Sequence, residues 1–368
     1  MAGVQSLIKW LVKYVLAWLL APFLMLFSTL AFVLRVFRTP AILSYRVRKT
    51  PPAVLQDSAL GTHEYARVGS SQLRLHYVAS SGDRDKPLMV CLHGFPEFWY
   101  SFRHQLKAFG KDYRVLSVDM RGFGDSDKPP AAMEYKVDKM AGDIVDLIEA
   151  LGYRSCTLVA NDGGAVIAGQ VATDRPDLVE KLVLMNGPVS LSAVATYTRS
   201  HPKQMLKFWY NFFFQLPYLP EMYFGFNDLK RLDHLFRSKR MGCRNKDAFT
   251  DEDLEAYKYA FSQPGALKAV INFYRANGSS GAASLLWNVG KEWLSGHHPP
   301  AEPITAIRCP SLMIWGDQDG VLDTDLAREM AGRVQGMKLE IIEGASHFVQ
   351  QDFPDTVNRL MTEFLNKP

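Results

Sequence analysis

The stretch that decides the fold is residues 157–165, Thr-Leu-Val-Ala-Asn-Asp-Gly-Gly-Ala. Its first four residues are β-branched or aliphatic and typical of a buried strand, and small residues then flank a central aspartate, Asp162. A tight strand-to-helix turn needs small neighbours, and it lifts its central side chain clear of the end of the sheet. The pattern predicts a nucleophile elbow with Asp162 at its tip. Taken alone, Asn-Asp-Gly-Gly is also typical of an ordinary turn.

Short apolar runs on both sides of this turn predict further strands of the same sheet. They are mostly β-branched or aliphatic and too short for typical helices. With the run in the elbow, they are residues 88–92, 115–118, 157–160, 181–185, 311–315 and 339–342. Between two of them, apolar residues from Val137 to Leu151 recur at helical spacing, and Gly152 follows as a stop. This alternation indicates an α/β fold, in which helices cover both faces of a mostly parallel sheet.

The alternation is interrupted between about residues 190 and 303. This stretch is aromatic and punctuated by prolines, and it separates the predicted strand at 181–185 from the one at 311–315. Its helical patches indicate an insertion instead of another strand and helix unit. We interpret the insertion as a helical lid over the α/β domain. The sequence contains no internal repeat that would favour a solenoid.

Two more residues follow predicted strands in the order nucleophile, acid, histidine that accompanies such an elbow. Asp319 comes just after the run ending at residue 315, and His347 comes just after the run ending at residue 342. Open parallel sheets bind ligands at these carboxyl ends of their strands. Each residue alone is compatible with an ordinary loop carboxylate or a surface histidine. Their order and position together favour a catalytic set of Asp162, Asp319 and His347.

A fourth segment, His93-Gly94-Phe95-Pro96-Glu97, follows the predicted strand at 88–92 directly. In folds with a nucleophile elbow, a backbone N–H from this loop pairs with the N–H after the nucleophile to form an oxyanion hole. We therefore expect Phe95 and Gly163 to supply these two donors. The alternative is an ordinary tight loop, because Gly and Pro both punctuate chains.

The N-terminal part has a different character, because residues 14–34 form an uncharged, overwhelmingly apolar run long enough to cross a bilayer core. A cleaved signal peptide and a helix lying on the surface are the alternatives. The run is too long for a signal-peptide core, and Arg35 follows it without a small-residue cleavage site. We predict a transmembrane helix. The expected organisation is an anchor over residues 1–38, a linker over 39–59, and a catalytic domain over 60–368 with its lid at about 190–303.

Flanking charges predict the orientation of this anchor. Two lysines precede the run, and five basic residues follow it: Arg35, Arg38, Arg46, Arg48 and Lys49. The positive-inside rule then places the C-terminal domain in the cytosol, on a single-pass protein of a membrane such as the endoplasmic reticulum. One sequon, Asn277-Gly278-Ser279, would be open to glycosylation only if that domain were lumenal.

Charge and cysteine content exclude other classes of partner. The net charge of +4 is spread over 42 basic and 38 acidic residues without a long basic tract, so nucleic acid is not an expected partner. The four cysteines have no metal-ligand spacing, which predicts reduced core residues and no metal site. They are Cys91, Cys156, Cys243 and Cys309. Membrane lipid is the expected contact of the anchor, and no protein partner can be inferred.

From about residue 60 to the C-terminus, the chain resembles the α/β-hydrolase-fold epoxide hydrolases, in particular the membrane-anchored animal members related to the soluble enzyme. The resemblance rests on five segments: residues 93–97, 119–124, the elbow at Asp162, 315–319 and 346–352. It implies an α/β-hydrolase fold with a helical lid. It also implies conversion of an epoxide and water to a vicinal diol, without a metal or organic cofactor.

The resemblance further implies two lid tyrosines that donate hydrogen bonds to the epoxide oxygen. The segments at residues 208–217 and 272–275 are similar to those that carry them, which nominates Tyr210 and Tyr274. Aromatic packing within a lid is the alternative role. One departure matters, since the family usually has His before the nucleophile and Trp after it, where this chain has Asn161 and Gly163. Gly163 can still supply a backbone N–H but offers no aromatic wall.

The expected reaction is attack of Asp162 on an apolar epoxide, such as that of a fatty acid, to form a covalent ester that water then hydrolyses. Two alternatives remain at this point. A haloalkane dehalogenase would share the aspartate nucleophile, but Gly163 removes one of the halide donors. A membrane-anchored lipid-binding protein could retain the fold without the reaction, because fold alone does not fix chemistry.

Overall fold

The computed structural model describes residue 38, residues 44–278 and residues 303–367. The predicted anchor at residues 14–34 lies outside these described residues. Within them, no helix combines the length and the apolar character needed to cross a membrane.

The described chain builds one sheet of eight strands in the order β1-β2-β4-β3-β5-β6-β7-β8. The strands are β1 Thr62–Val68, β2 Leu73–Ala79, β3 Leu88–Leu92, β4 Arg114–Asp119, β5 Cys156–Asn161, β6 Val179–Met185, β7 Ser311–Gly316 and β8 Lys338–Ile342. Strand β2 is antiparallel to both of its neighbours, β1 and β4. From β4 through β3 to β8 every pairing is parallel. The predicted α/β fold with a mostly parallel sheet is confirmed.

Helices connect the parallel strands. They are α1 Arg103–Phe109, α2 Val137–Ala150, α3 Gly163–Asp174, α4 Leu191–Ser200, α5 Pro202–Lys207, α6 Trp209–Phe213, α7 Leu219–Arg237, α8 Asp251–Ser262, α9 at residues 266–278, α10 Thr324–Arg333, α11 Val349–Asp352 and α12 Pro354–Leu365. Helix α2 matches the predicted helix, and its apolar stripe at Met140, Ile144 and Leu147 is buried. Burial of one helical stripe against the sheet is what holds such a helix in place.

All six predicted strands lie within β3 to β8, whereas β1 and β2 went unpredicted. The central strands β3, β4, β5 and β7 are buried along their whole length, so they read as continuous apolar runs. The edge strand β1, Thr-His-Glu-Tyr-Ala-Arg-Val, is mostly exposed or half-buried. Because it carries several polar residues, this strand does not form an apolar run in the sequence.

Helices α4 to α9 form an insertion between β6 and β7. Its longest helix, α7, is broken at residues 226–229, where Asn227, Asp228 and Leu229 all have positive φ angles. The side chain of Asp228 at this break accepts hydrogen bonds from the backbone N–H of Arg46 and from the guanidinium of Arg48. The segment after residue 44, part of the predicted linker, is therefore packed against the insertion. Arg48 also pairs with Glu255 of α8 at 2.8 Å.

Candidate active site

The sharp turn at Asp162 joins β5 to α3. Asp162 has φ 47° and ψ −118°, a strained conformation for a residue with a side chain. Two close contacts explain the glycines in and opposite this turn, Gly164 against backbone and Gly94 against the Asp162 side chain. A Cβ on Gly164 would lie 2.2 Å from the carbonyl oxygen of Leu92, and a Cβ on Gly94 would lie 2.5 Å from Cβ of Asp162. The elbow thus depends on glycine at both positions, because no larger residue fits.

The Asp162 carboxylate is held on both of its oxygens. Oδ1 accepts a hydrogen bond of 3.0 Å from the backbone N–H of Phe95, and Oδ2 lies 3.3 Å from Nε2 of His347. The next residue, Gly163, is the first of α3, where backbone N–H groups have no acceptor within the helix. Of the two predicted oxyanion donors, the Phe95 N–H contacts the Asp162 carboxylate, and the Gly163 N–H follows it directly in the chain at the first turn of α3.

His347 is the link between the two acids. Its Nδ1 lies 2.8 Å from Oδ2 of Asp319, on the side of the ring opposite Asp162. Both carboxylate oxygens of Asp319 accept further hydrogen bonds. Oδ2 also accepts one from the Asn186 side-chain amide at 2.7 Å. Its Oδ1 accepts from the backbone N–H groups of Val321 and Leu322 at 2.7 and 2.9 Å. This network fixes the orientation of the imidazole ring.

The charges of these three residues are coupled. Burial disfavours the imidazolium, but the carboxylates of Asp319 and Asp162 outweigh this effect and raise the pKa of His347 well above its ordinary value. Burial likewise acts to raise the pKa of Asp319, but His347, Asn186 and the N–H of Leu322 keep that pKa below its ordinary value. The contacts with the two acids therefore favour the protonated form of His347.

The side chains of Tyr210 and Tyr274 extend from the insertion toward Asp162 and line the same cavity. They come from α6 and α9, and their rings meet edge to face with centroids 5.9 Å apart. The Tyr274 ring also packs on Phe95, with centroids 5.2 Å apart. Burial, followed by the charge of Asp162, raises the pKa of both hydroxyls. Both therefore stay protonated at neutral pH and can donate hydrogen bonds.

These groups line a cavity of about 250 Å³. Asp162, His347 and Phe95 line it from the sheet side, and Tyr210 and Tyr274 line it from the insertion. Much of the remaining wall is aromatic or aliphatic: Trp209, Phe213, Phe214, Tyr223, Phe224, Leu235, Met241, Val321 and Phe348. A mostly apolar cavity with a few convergent polar groups is the usual form of a small-molecule site.

Asn161 and Gly163, which depart from the family pattern, each have defined neighbours in the structure. Asn161 is buried, and its Nδ2 donates to the carbonyl oxygens of Met185 and His347, at 3.0 and 3.5 Å. Beside Gly163, the Phe273 ring lies 3.7 Å from the position that a Cβ would take. An aromatic residue from α9 therefore occupies the neighbourhood of the missing side chain, although it is not among the described residues that line the cavity.

Two supporting groups, Asn186 and Glu97, were assigned no role from the sequence. Asn186 bridges β6 and β7, because its Oδ1 accepts from the N–H of Gly316 while its amide binds Asp319. Glu97 is fully buried, and it accepts hydrogen bonds from the side chains of Gln350 and Gln351. Burial raises the pKa of Glu97 to about 7. The position of Asn186 at the carboxyl end of a strand could have nominated it, but no local pattern marks the partners of Glu97.

The fold and this site define an α/β hydrolase with an aspartate at the nucleophile position. The family described as alpha/beta hydrolase fold matches residues 87–354. Among curated proteins, epoxide hydrolase 4 from Homo sapiens is 42% identical over 90% of this chain and 85% of its own length. Epoxide hydrolase 3 from Xenopus tropicalis is 37% identical over 99% of this chain and 93% of its own length.

A solved structure of a mutant epoxide hydrolase from Bacillus megaterium matches with a TM-score of 0.69 and 29% identity. The match covers 83% of this chain and all of the bacterial chain. The present chain belongs to the epoxide hydrolase family of the α/β-hydrolase fold.

Proposed function

We propose that this protein hydrolyses apolar epoxides to vicinal diols through a covalent ester on Asp162. One observation carries the proposal: the Asp162 carboxylate contacts both the Phe95 N–H and His347, and it faces the same cavity as two tyrosine hydroxyls. A carboxylate is a weak nucleophile toward esters but suits a strained ring, provided that a donor neutralises the alkoxide that forms.

In the first step, an Asp162 oxygen attacks one epoxide carbon and the bond from that carbon to the ring oxygen breaks. Tyr210 and Tyr274 donate hydrogen bonds to the departing oxygen, and a proton from one of them completes the new hydroxyl group. The product is an alkyl ester on Asp162 and a tyrosinate. Because ester formation removes the Asp162 charge that raises the pKa of His347, the imidazolium then gives up its proton more readily, restoring the tyrosine hydroxyl directly or through water.

In the second step, neutral His347, held by Asp319, removes a proton from water, and the hydroxide attacks the carbonyl carbon of the ester. The Phe95 and Gly163 N–H groups stabilise the oxyanion, an interaction worth roughly a hundred- to a thousandfold in rate per donor in other enzymes. Collapse of this intermediate releases the alcohol oxygen, which takes the proton from His347. The carboxylic acid left on Asp162 then passes its proton to His347, which restores the carboxylate and the imidazolium. The overall balance is one epoxide and one water for one diol.

We infer that the insertion of helices α4 to α9 acts as a lid. Tyr210 and Tyr274 belong to it, so a complete site requires the insertion to lie over the strand ends. Closing the cavity would also exclude bulk water from the first step, which keeps the epoxide for Asp162.

The cavity wall supports apolar substrates. Its side chains are largely aromatic, and an anchored enzyme would meet substrates dissolved in lipid. We propose epoxides of lipid chains as the substrate class. The test is turnover of a panel of lipid and aryl epoxides by the purified full chain, with diol formation and halide release measured side by side. Diol without halide release supports the proposal, halide release from haloalkanes would favour a dehalogenase, and ligand binding without either product would favour a binding protein.

The membrane anchor also remains a proposal. It is supported by the apolar run at residues 14–34 and by the basic residues that follow it. We propose a single-pass protein of the endoplasmic reticulum or a similar membrane, with its catalytic domain in the cytosol.

A further inference from the structure

Toward solvent, the residues that line the cavity become more exposed and more positively charged. Asp162 and His347 are 16% and 2% exposed, whereas Arg240 and His234, which line the same cavity, are exposed. Lys207 and Arg231 also belong to the lining. Among the described residues that line it, Asp162 is the only carboxylate. The cavity therefore runs from a largely enclosed carboxylate, past aromatic walls, to a cationic mouth.

Arg231 is the cation most suited to bind a ligand here. Its guanidinium lies 4.1 Å from the centroid of the Tyr223 ring, and Tyr223 is itself part of the cavity wall. Within residues 44–278 and 303–367, no carboxylate lies within ion-pair distance of Arg231. Lys207 differs, since its Nζ lies 2.6 Å from Asp323 and is already neutralised. Arg231 is thus held against the wall, and no residue in the described part of the chain accepts a hydrogen bond from its guanidinium.

Helix geometry directs this group into the cavity. Arg231, His234 and Leu235 are spaced at i, i+3 and i+4 on the second half of α7, so they share one face of that helix. The break at residues 226–229 lets Tyr223 and Phe224 of the first half line the same cavity. Arg240 follows just after the helix, and its carbonyl oxygen packs closely on Gly320, next to Asp319.

We propose that Arg231, assisted by Arg240, forms an anion subsite at the cavity mouth, so that the preferred epoxides carry an anionic oxygen group on their apolar chain. A guanidinium presents a planar fork that binds carboxylate or phosphate through paired hydrogen bonds. The aromatic stretch between the mouth and Asp162 then receives the chain. This inference rests on the proposed epoxide hydrolysis, because it specifies the substrate of the same cavity.

The test compares ligands that differ only in the head group. Binding of laurate, lauryl phosphate and methyl laurate is measured with the full chain in phosphatidylcholine nanodiscs. The proteins are wild type, Arg231→Gln, Arg231→Lys and, as a matched control, Lys230→Gln. Lys230 is an exposed neighbour on the same helix that does not line the cavity, so its removal changes the net charge equally.

We expect Arg231→Gln to weaken binding of the preferred anionic ligand by about tenfold relative to methyl laurate, as loss of a hydrogen bond to a charged group implies. Arg231→Lys should restore part of this preference, and Lys230→Gln should keep all of it. Whether laurate or lauryl phosphate responds more strongly identifies the anion. Equal responses of all three ligands, or equal effects of Arg231→Gln and Lys230→Gln, would overturn the proposal.

Turnover distinguishes this proposal from the one on which it rests. With an epoxy fatty acid and its methyl ester, the acid-to-ester ratio of kcat/KM should fall about tenfold in Arg231→Gln. If no epoxide is converted while the binding preference holds, the epoxide hydrolase proposal fails and the anion subsite stands. If both epoxides are converted with the same ratio in Arg231→Gln and wild type, only the subsite is wrong.

Discussion

Nε2 of His347 lies 3.3 Å from Oδ2 of Asp162, and Nδ1 of the same ring lies 2.8 Å from Oδ2 of Asp319. One imidazole therefore joins the two carboxylates, with the tighter contact on the side of Asp319. This asymmetry suits two different tasks. Asp319 holds the ring, whereas Asp162 remains able to leave the ion pair and react with a substrate.

The first prediction separates the two chemical steps. In His347→Gln, Asp162 can still open the epoxide, but no base activates water, so the ester should accumulate. Mass spectrometry after incubation with an epoxide should show the protein heavier by one substrate, with the added mass on the peptide that contains Asp162. Asp162→Ala is the control and should form no adduct. An unmodified His347→Gln protein, alongside diol formation by wild type, would disprove covalent catalysis by Asp162.

The second prediction concerns the two tyrosines that face Asp162. Changing Tyr210 or Tyr274 to Phe removes one donor to the epoxide oxygen and should lower kcat by about a hundredfold, with a larger loss in the double variant. Thermal stability and affinity for the diol product should change little, because only hydroxyl groups are removed. Tyr218→Phe is the control, since Tyr218 is 79% exposed and lies outside the described cavity lining. Undiminished turnover in the double variant would refute the assignment.

The third prediction tests the close approach at Gly94. A Cβ at this position would lie 2.7 Å from Oδ1 of Asp162, so Gly94→Ala must displace the nucleophile. A displacement on the order of 1 Å costs about a hundredfold in rate. Gly142→Ala is the matched control, because nothing lies within 4 Å of the added methyl group in α2. Comparable kcat/KM values for the two variants would show that Gly94 does not set the position of Asp162.

The fourth prediction is a pH dependence of stability that arises from Glu97. Burial raises the pKa of Glu97 from 4.5 to about 7, so the folded protein binds this proton more tightly than the unfolded chain does. The contribution of Glu97 to stability therefore falls as the pH rises from 4.5 to 7. Above pH 7 its cost is constant, on the order of 3 kcal/mol.

Urea unfolding of wild type and Glu97→Gln at pH 5 and pH 8 checks this sign. The variant loses one acceptor at every pH, which gives a constant offset, whereas only wild type carries the titrating carboxyl group. The free energy of unfolding of wild type, relative to the variant, should decrease between pH 5 and pH 8. A difference that stays the same at both pH values would contradict the raised pKa.

The fifth prediction concerns topology. The natural sequon is a poor reporter, because the Asn277 amide donates to the carbonyl oxygens of Tyr135 and Phe273, at 2.9 and 2.7 Å. Gly69→Asn creates a better one with Ser70 and Ser71, in an exposed turn where the positive φ of 66° suits asparagine.

With a cytosolic domain, the Gly69→Asn protein should remain unglycosylated in microsomes, and added protease should digest the domain. The positive control replaces residues 1–38 with a cleavable secretion signal, which should lead to glycosylation of the same variant. A glycan on the anchored Gly69→Asn chain, or a protected domain, would reverse the proposed orientation.

The sequence by itself determined the sheet core, the elbow and the order of the acid and the histidine. Buried parallel strands are apolar along their length, and a tight turn admits only small neighbours, so both leave local patterns. Residues 157–165 therefore predicted β5, the turn at Asp162 and the start of α3. Edge strand β1 left no such pattern, because it is mostly exposed or half-buried and carries polar residues. In β2, Arg74 and His76 interrupt the apolar residues.

Only the tertiary structure decided which distant side chains meet. Asn186 and Asp319 are separated by the whole insertion, yet they lie 2.7 Å apart because parallel strands β6 and β7 end side by side. The contact of Glu97 with Gln350 and Gln351, and the place of Arg231 on the cavity wall, likewise depend on packing between elements far apart in the chain. The local sequence around each residue predicts neither of these contacts. Their geometry is fixed only when the helices and the sheet have packed together.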